Sequence, residues 1–154
     1  MARQKILFPY NFTLQDQKAV RFIMRHFSHQ PDAEVIVFHA FTPVPEFEMR
    51  EARVMVKMRQ NLSYLTSQAA ERTKALEALL KKLQQEGFGA ERARLITKPR
   101  KKDVATEIVE HARDEKCNII VLNHKSGKTT RFFTTGVHSK VIAGAGGATV
   151  CIVT

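Results

Sequence analysis

Asn118-Ile119-Ile120-Val121-Leu122 is an apolar run that ends in Asn123 and His124, and a segment rich in Lys, Ser, Gly and Thr follows it as far as Gly136. A second apolar run, Ala148 to Val153, closes the chain. The order predicts a buried strand, a loop, a helix opening at Gly136 and a terminal strand. In an α/β sheet, the loop between a strand and the following helix is where anions bind, because free backbone N–H groups and the positive end of the helix dipole meet there. Lys125, Lys128 and Arg131, set among Ser126, Gly127, Thr129, Thr130, Thr134 and Thr135, suit such a ligand. Lys128 and Arg131 are the best candidates for phosphate contact, and Arg can hold two oxygens at once. Thr135 stands where it can cap the last helix.

Working outward, Lys5 to Tyr10 reads as a buried strand, and a helix follows from about Leu14 with Thr13 as its cap and Ala19, Val20, Ile23, Met24 and Phe27 as its apolar stripe. Pro31 and Asp32 break that pattern. Ala33 to Phe41 is nearly continuous in apolar and β-branched residues, as a parallel strand covered on both faces should be. Past Pro43 and Pro45, a long helix is expected from about Arg50 to Glu86, interrupted near Asn61 to Ser63 and stopped by Gly87 and Gly89. Ala90 to Thr97 suggests a third, more polar strand at a sheet edge. The basic loop Lys98 to Lys102 then leads to a helix from Asp103 to about Lys116, with Val104, Ile108, Val109 and Ala112 inward. Strands alternating with helices imply one domain over residues 1–154, built on a parallel sheet with helices on both faces.

The charge is unevenly placed. Of a formal +10, six Lys/Arg lie between Arg92 and Lys102 and five more lie from Lys116 onward, with no acid in either stretch. This bias suits phosphates, nucleic acid or an acidic protein, or else a solvated surface. Apolar runs stay well short of the roughly 18 residues that cross a bilayer, and Met1 to Lys5 leads straight into a strand, so an unexported, cytoplasmic protein with no membrane partner is expected. Cys117 and Cys151 sit beside or inside strand sequence and read as small buried hydrophobes. His26, His29, His39 and His111 show no metal-ligand spacing with them, and His124 and His138 flank the basic loop with no acid nearby in sequence. No nucleophile elbow, standard-length P-loop or carboxylate pair stands out, so no catalytic residue and no metal site is expected.

The run Ile6-Leu7-Phe8-Pro9-Tyr10-Asn11-Phe12-Thr13 resembles the opening of the universal stress protein family, in which an apolar strand leads through Pro to an Asp and then a Ser. Ala19, His39 and the segment Asp103 to Ile108 fall where that family carries similar residues, and the resemblance spans nearly the whole chain. It implies a three-layer α/β sandwich with a five-stranded parallel sheet of order 3-2-1-4-5. It also implies an adenine-nucleotide site with Pro9, Tyr10 and Asn11 on one side, Ala40 near the base, and Asn123, Ser126, Gly127, Lys128, Arg131, Gly136 and Val137 on the other.

Members that bind ATP carry Gly, two residues, Gly, nine residues, Gly and then Ser or Thr. Counting back from Gly136 places Ser126 and Asn123 at the two earlier glycines, and Val137 replaces the hydroxyl residue. Shifting by one recovers Gly127 at the cost of a shorter spacer. Asn11 stands where the ATP-binding pattern has Asp, and so lacks the charge that would assist a phosphate-bound metal. The expectation is therefore a stress-response protein acting through binding, with a degenerate pocket for ATP or another adenine nucleotide and a homodimer formed through the terminal strand. The alternative is a basic adaptor for nucleic acid or an acidic protein, indifferent to nucleotide.

Overall fold

A computed structural model describes residues 3–43, 52–124 and 136–154. Five parallel strands, β1 (Gln4–Pro9), β2 (Ala33–Phe41), β3 (Ala93–Pro99), β4 (Ile119–Asn123) and β5 (Thr149–Val153), lie in the order β3-β2-β1-β4-β5. The sheet order is the one the family resemblance implies. β1 pairs with β2 from Gln4↔Ala33 to Pro9↔Phe38, and β4 pairs with β5 from Ile119↔Thr149 to Asn123↔Val153.

Alternation along the strands sends side chains to two cores. On one face, α1 (Leu14–Phe27) and α2 (Ala52–Leu83) cover Ile6, Phe8, Val35 and Val37 with Ala19, Val20, Ile23, Leu76, Leu79 and Leu83. On the other, α4 (Val104–Asp114) and α5 (Val137–Gly144) cover Leu7, Ile36, Phe38 and Ile120 with Ala105, Ile108, Ala112 and Val141. Both central strands are buried on two sides, which explains why β2 reads as a continuous apolar run rather than an alternating one. Cys117 is buried and Cys151 half-buried, both free thiols, and burial pushes the Cys117 thiol up to about 11.

Two local expectations are corrected and one holds. The helix α2 passes through Asn61 to Ser63 without a break. The helix stops at the glycines, as expected: α2 ends at Leu83, the chain widens into a π turn, Gln84–Phe88, in which Gly87 is non-helical with φ of 160°, and past this kink one short helical turn, α3 (Gly89–Arg92), opens at Gly89 with φ of 70°, so that β3 begins at Ala93 rather than at Ala90. A side chain at Gly87 would meet the Ser28 Cβ at 2.6 Å, so glycine allows this turn to lie against the end of α1. Arg92 fixes the junction by donating to the carbonyls of Gln30 at 2.7 Å, Gly87 at 2.7 Å, Ala33 at 3.1 Å and Ser28 at 3.3 Å.

The helix α2 is far longer than the strands it follows. At 1.5 Å per residue its 32 residues span about 48 Å, and between residues 56 and 75 none is buried. Its packing on the sheet is concentrated in the C-terminal part, from Leu76 to Leu83.

Candidate functional site

The C-terminal edge of the sheet carries the features that the sequence singles out. Pro9 ends β1, and Tyr10 continues the pairing by donating its N–H to the Phe38 carbonyl at 2.8 Å. The Tyr10 ring is buried on the α1/α2 face, so its backbone, not its phenol, belongs to the turn. Phe12 holds a positive φ of 61°, a conformation uncommon for a non-glycine residue, and its ring packs edge-on against Tyr10 and His39.

Asp16 organises this turn. Its carboxylate is fully buried, accepts the N–H groups of Asn11 at 3.0 Å and Thr13 at 2.8 Å, and accepts the side-chain amide of Asn123. In return the Thr13 hydroxyl accepts the Asp16 N–H at 3.3 Å, a reciprocal cap at the start of α1. One carboxylate thus joins the β1–α1 turn to the end of β4. The Thr-x-x-Asp spacing at the start of α1 is the sequence signal that would have revealed it.

From β4 the connections continue to α5. The Nε2–H of His138 donates to the Asn123 carbonyl at 2.7 Å, which fixes the proton on that nitrogen, and the rings of His124 and His138 meet edge-on at 5.3 Å. Gly136 caps α5 without a side-chain bond, and Val137 is exposed beside it. Ser126, Gly127, Lys128 and Arg131 lie outside the described residues, as do Lys125 and the threonines around them.

An open cleft of about 710 Å³ lies between the N-termini of α4 and α5, with Arg100, Lys101, Lys102 and Lys140 on its walls together with Gly136 and Val137. Pro9, Asn11, Ala40 and Asn123 stand along the same edge of the sheet without lining it. The loop before α4 is held by Glu107, which is 2% exposed and accepts the N–H groups of Lys101 at 2.8 Å and Lys102 at 3.0 Å. Its other oxygen meets Lys98 Nζ at 2.5 Å, and chiefly this contact, with the backbone donors, holds the Glu107 carboxyl down at about 2.

The basic stretch is less available than its sequence suggests. Arg94 bridges Glu34 at 2.8 Å and Glu115 at 2.9 Å, Lys98 meets Glu107, Lys102 meets Glu110 at 2.5 Å, and Arg92 is spent on backbone carbonyls. Arg100 and Lys101 are exposed and make no ion pair with a described residue. Among the described residues no three His, Cys, Asp or Glu side chains gather to hold a metal, and no described helix is long and apolar enough to cross a membrane.

The model of the Universal stress protein family matches residues 2–150. This chain belongs to that family. A universal stress protein from Archaeoglobus fulgidus in complex with dAMP superposes with a TM-score of 0.64 at 15% identity, over 100% of each chain. A universal stress protein in complex with cAMP gives 0.66 at 16% identity, over 99% of this chain and 98% of that one. A family member from Arabidopsis thaliana with AMP bound gives 0.59 at 13% identity, over 97% and 90%. At such identities the likeness establishes the fold, a three-layer universal stress protein sandwich. No curated protein matches the chain.

Proposed function

We propose that this universal stress protein is a cytoplasmic stress-response protein acting by binding, and that it takes an adenine nucleotide weakly at the C-terminal edge of its sheet. The adenosine would lie against Pro9, Asn11 and Ala40, and the phosphates would face the N-terminus of α5. The observation that carries this reading is the cleft between the N-termini of α4 and α5, where Arg100 and Lys101 make no ion pair with a described residue, Lys102 and Lys140 stand beside Glu110 and Asp103, and the start of α5 has no side-chain cap, a setting that suits phosphate. The dAMP, cAMP and AMP complexes of structural relatives support adenine as the base.

Weak affinity and little dependence on Mg²⁺ follow from the residues present. Val137 offers no hydroxyl where the ATP-binding pattern has one, and Asn11 carries no charge. Asp16, the buried carboxylate beside the turn, already accepts hydrogen bonds at both oxygens. Each missing contact costs about 1 kcal/mol, or roughly fivefold in affinity. Titration calorimetry with AMP, ADP and ATP tests the proposal. Dissociation constants on the order of 100 µM or weaker, insensitive to Mg²⁺, are expected. Submicromolar, Mg²⁺-dependent binding would overturn the degenerate pocket, and indifference to all three nucleotides would overturn nucleotide binding itself. Val137→Ser should tighten binding by about fivefold, the worth of one restored hydrogen bond.

The protein is further proposed to form a two-fold dimer through β5, which pairs on one side with β4 and has no described strand on its other side. Light scattering at high micromolar concentration should report twice the chain mass. A strict monomer there would sink the dimer.

A further inference from the structure

On the opposite face of the sheet, a second cavity of about 710 Å³ opens between the middle of α2 and the C-terminal ends of β2 and β3. Its size is that of a small-molecule site rather than of a packing defect. The walls are mostly apolar, with Phe41, Leu65, Ala69, Leu76 and Leu95 contributing. Two polar groups stand on them, one a buried acceptor without a donor and the other an exposed cation with no described carboxylate partner. His39 is 8% exposed, and its Nδ1 is 2.8 Å from the Tyr10 carbonyl. A carbonyl can only accept, so Nδ1 carries the proton and Nε2 is a bare acceptor. That buried Nε2 has no hydrogen-bond partner, an arrangement costly enough to call for a donor. Burial, assisted by the charge of Arg72 and opposed by the Tyr10 bond, keeps the His39 pKa below its ordinary value, so the ring stays neutral.

Arg72 is the second group. Its guanidinium stands 5.6 Å from the Phe12 ring centre, the His39 ring lies 4.9 Å from the same ring, and no described carboxylate pairs with it. Cation and acceptor therefore converge on one end of an apolar crevice. Glu77, the one acid on the wall, sits five residues further along α2 and makes no ion pair with Arg72.

We propose that this crevice binds a small amphipathic acid, with the carboxylate on Arg72, a neighbouring hydroxyl donating to His39 Nε2, and the apolar body lying between α2 and the β2–β3 edge. Such a molecule supplies both missing partners and fills the apolar remainder. The site is separate from the proposed nucleotide cleft, which lies across the sheet.

Calorimetry with 3-hydroxydecanoate, below its micelle concentration, tests the site against decanoate and decane-1,3-diol. The hydroxy acid should bind saturably, about tenfold more tightly than the diol and about fivefold more tightly than decanoate. Arg72→Ala, on an exposed helical position, should cost about tenfold, and Ala69→Trp should abolish binding by filling the crevice while leaving the circular dichroism unchanged. Glu77→Gln should tighten binding or leave it as it is, and AMP should not displace the acid. No saturable binding, equal affinity for the three probes, indifference to Ala69→Trp in a folded variant, weaker binding in Glu77→Gln, or displacement by AMP would each overturn the proposal.

Discussion

The two cavities have the same volume, about 710 Å³ each, and both open near the C-terminal edge of one sheet, yet their chemistry is opposite. On the α4/α5 face the walls are cationic backbone-rich turns at two helix starts. On the α1/α2 face they are apolar side chains with a single cation over an aromatic ring. The difference comes from strand alternation: Phe38 and Ala40 point to the α4/α5 face and His39 to the other, so successive residues of β2 face separate layers. What the faces share is the turn after β1, where the Tyr10 carbonyl touches His39 and the Asn11 N–H touches Asp16.

The largest effect is expected where that shared turn is anchored. Asp16→Ala would leave the Asn11 and Thr13 N–H groups and the Asn123 amide without their buried acceptor, and so remove one half of the reciprocal cap of α1, at a cost of about 3 kcal/mol. Urea unfolding should show it. A loss below about 0.5 kcal/mol would mean that the turn is held by its aromatic side alone.

The cationic face has its own anchor, and it is sensitive to acid. The Glu107 carboxyl sits at about 2 in the fold against an ordinary 4.5. A depressed carboxylate contributes stability that is fully present above its unfolded value and is lost as pH falls through its folded value. The wild type should therefore lose stability between about pH 4.5 and about pH 2, and Glu107→Gln should flatten that part of the profile. An unchanged acid limb in Glu107→Gln would place the sensitivity elsewhere.

The smallest effect concerns polyanions. Because Arg92, Arg94, Lys98 and Lys102 are engaged within the fold, only Arg100 and Lys101 of the six cations remain unpaired among described residues. Replacing both with Ala should reduce the slope of log affinity for duplex DNA against log salt by about 2 at most. A larger reduction would show that the ion pairs open on contact and would revive the adaptor reading.

Most of the architecture was legible because it rests on local chemistry. β2 runs over Ala33–Phe41 as its apolar pattern predicts, and Thr13 caps α1. The start of β3 was not legible, because a π turn depends on the contact between Gly87 and Ser28 and on Arg92 reaching the distant carbonyls of Ser28, Gln30 and Ala33. At the site, Gly136 and Val137 lie on the cationic cleft, whereas the only trace of Asp16's role in the sequence is the Thr-x-x-Asp spacing at the start of α1. Nor does sequence show that Arg94 or Lys98 is already paired, since Glu34 and Glu115 reach Arg94 from distant elements, 60 and 21 residues away.

The uneven seating of α2 has a consequence for exchange of its backbone amides with deuterium. From Leu76 to Leu83 the hydrogen bonds can open only with the core, so their exchange should report the global unfolding equilibrium. Between residues 56 and 75 the same helix has no buried anchor, and its protection should decline toward the N-terminal end with the free energy of helix fraying alone. One continuous helix would then display two kinetic populations, and an acid bound in the crevice at Leu65, Ala69 and Arg72 would move the boundary between them toward the N-terminus.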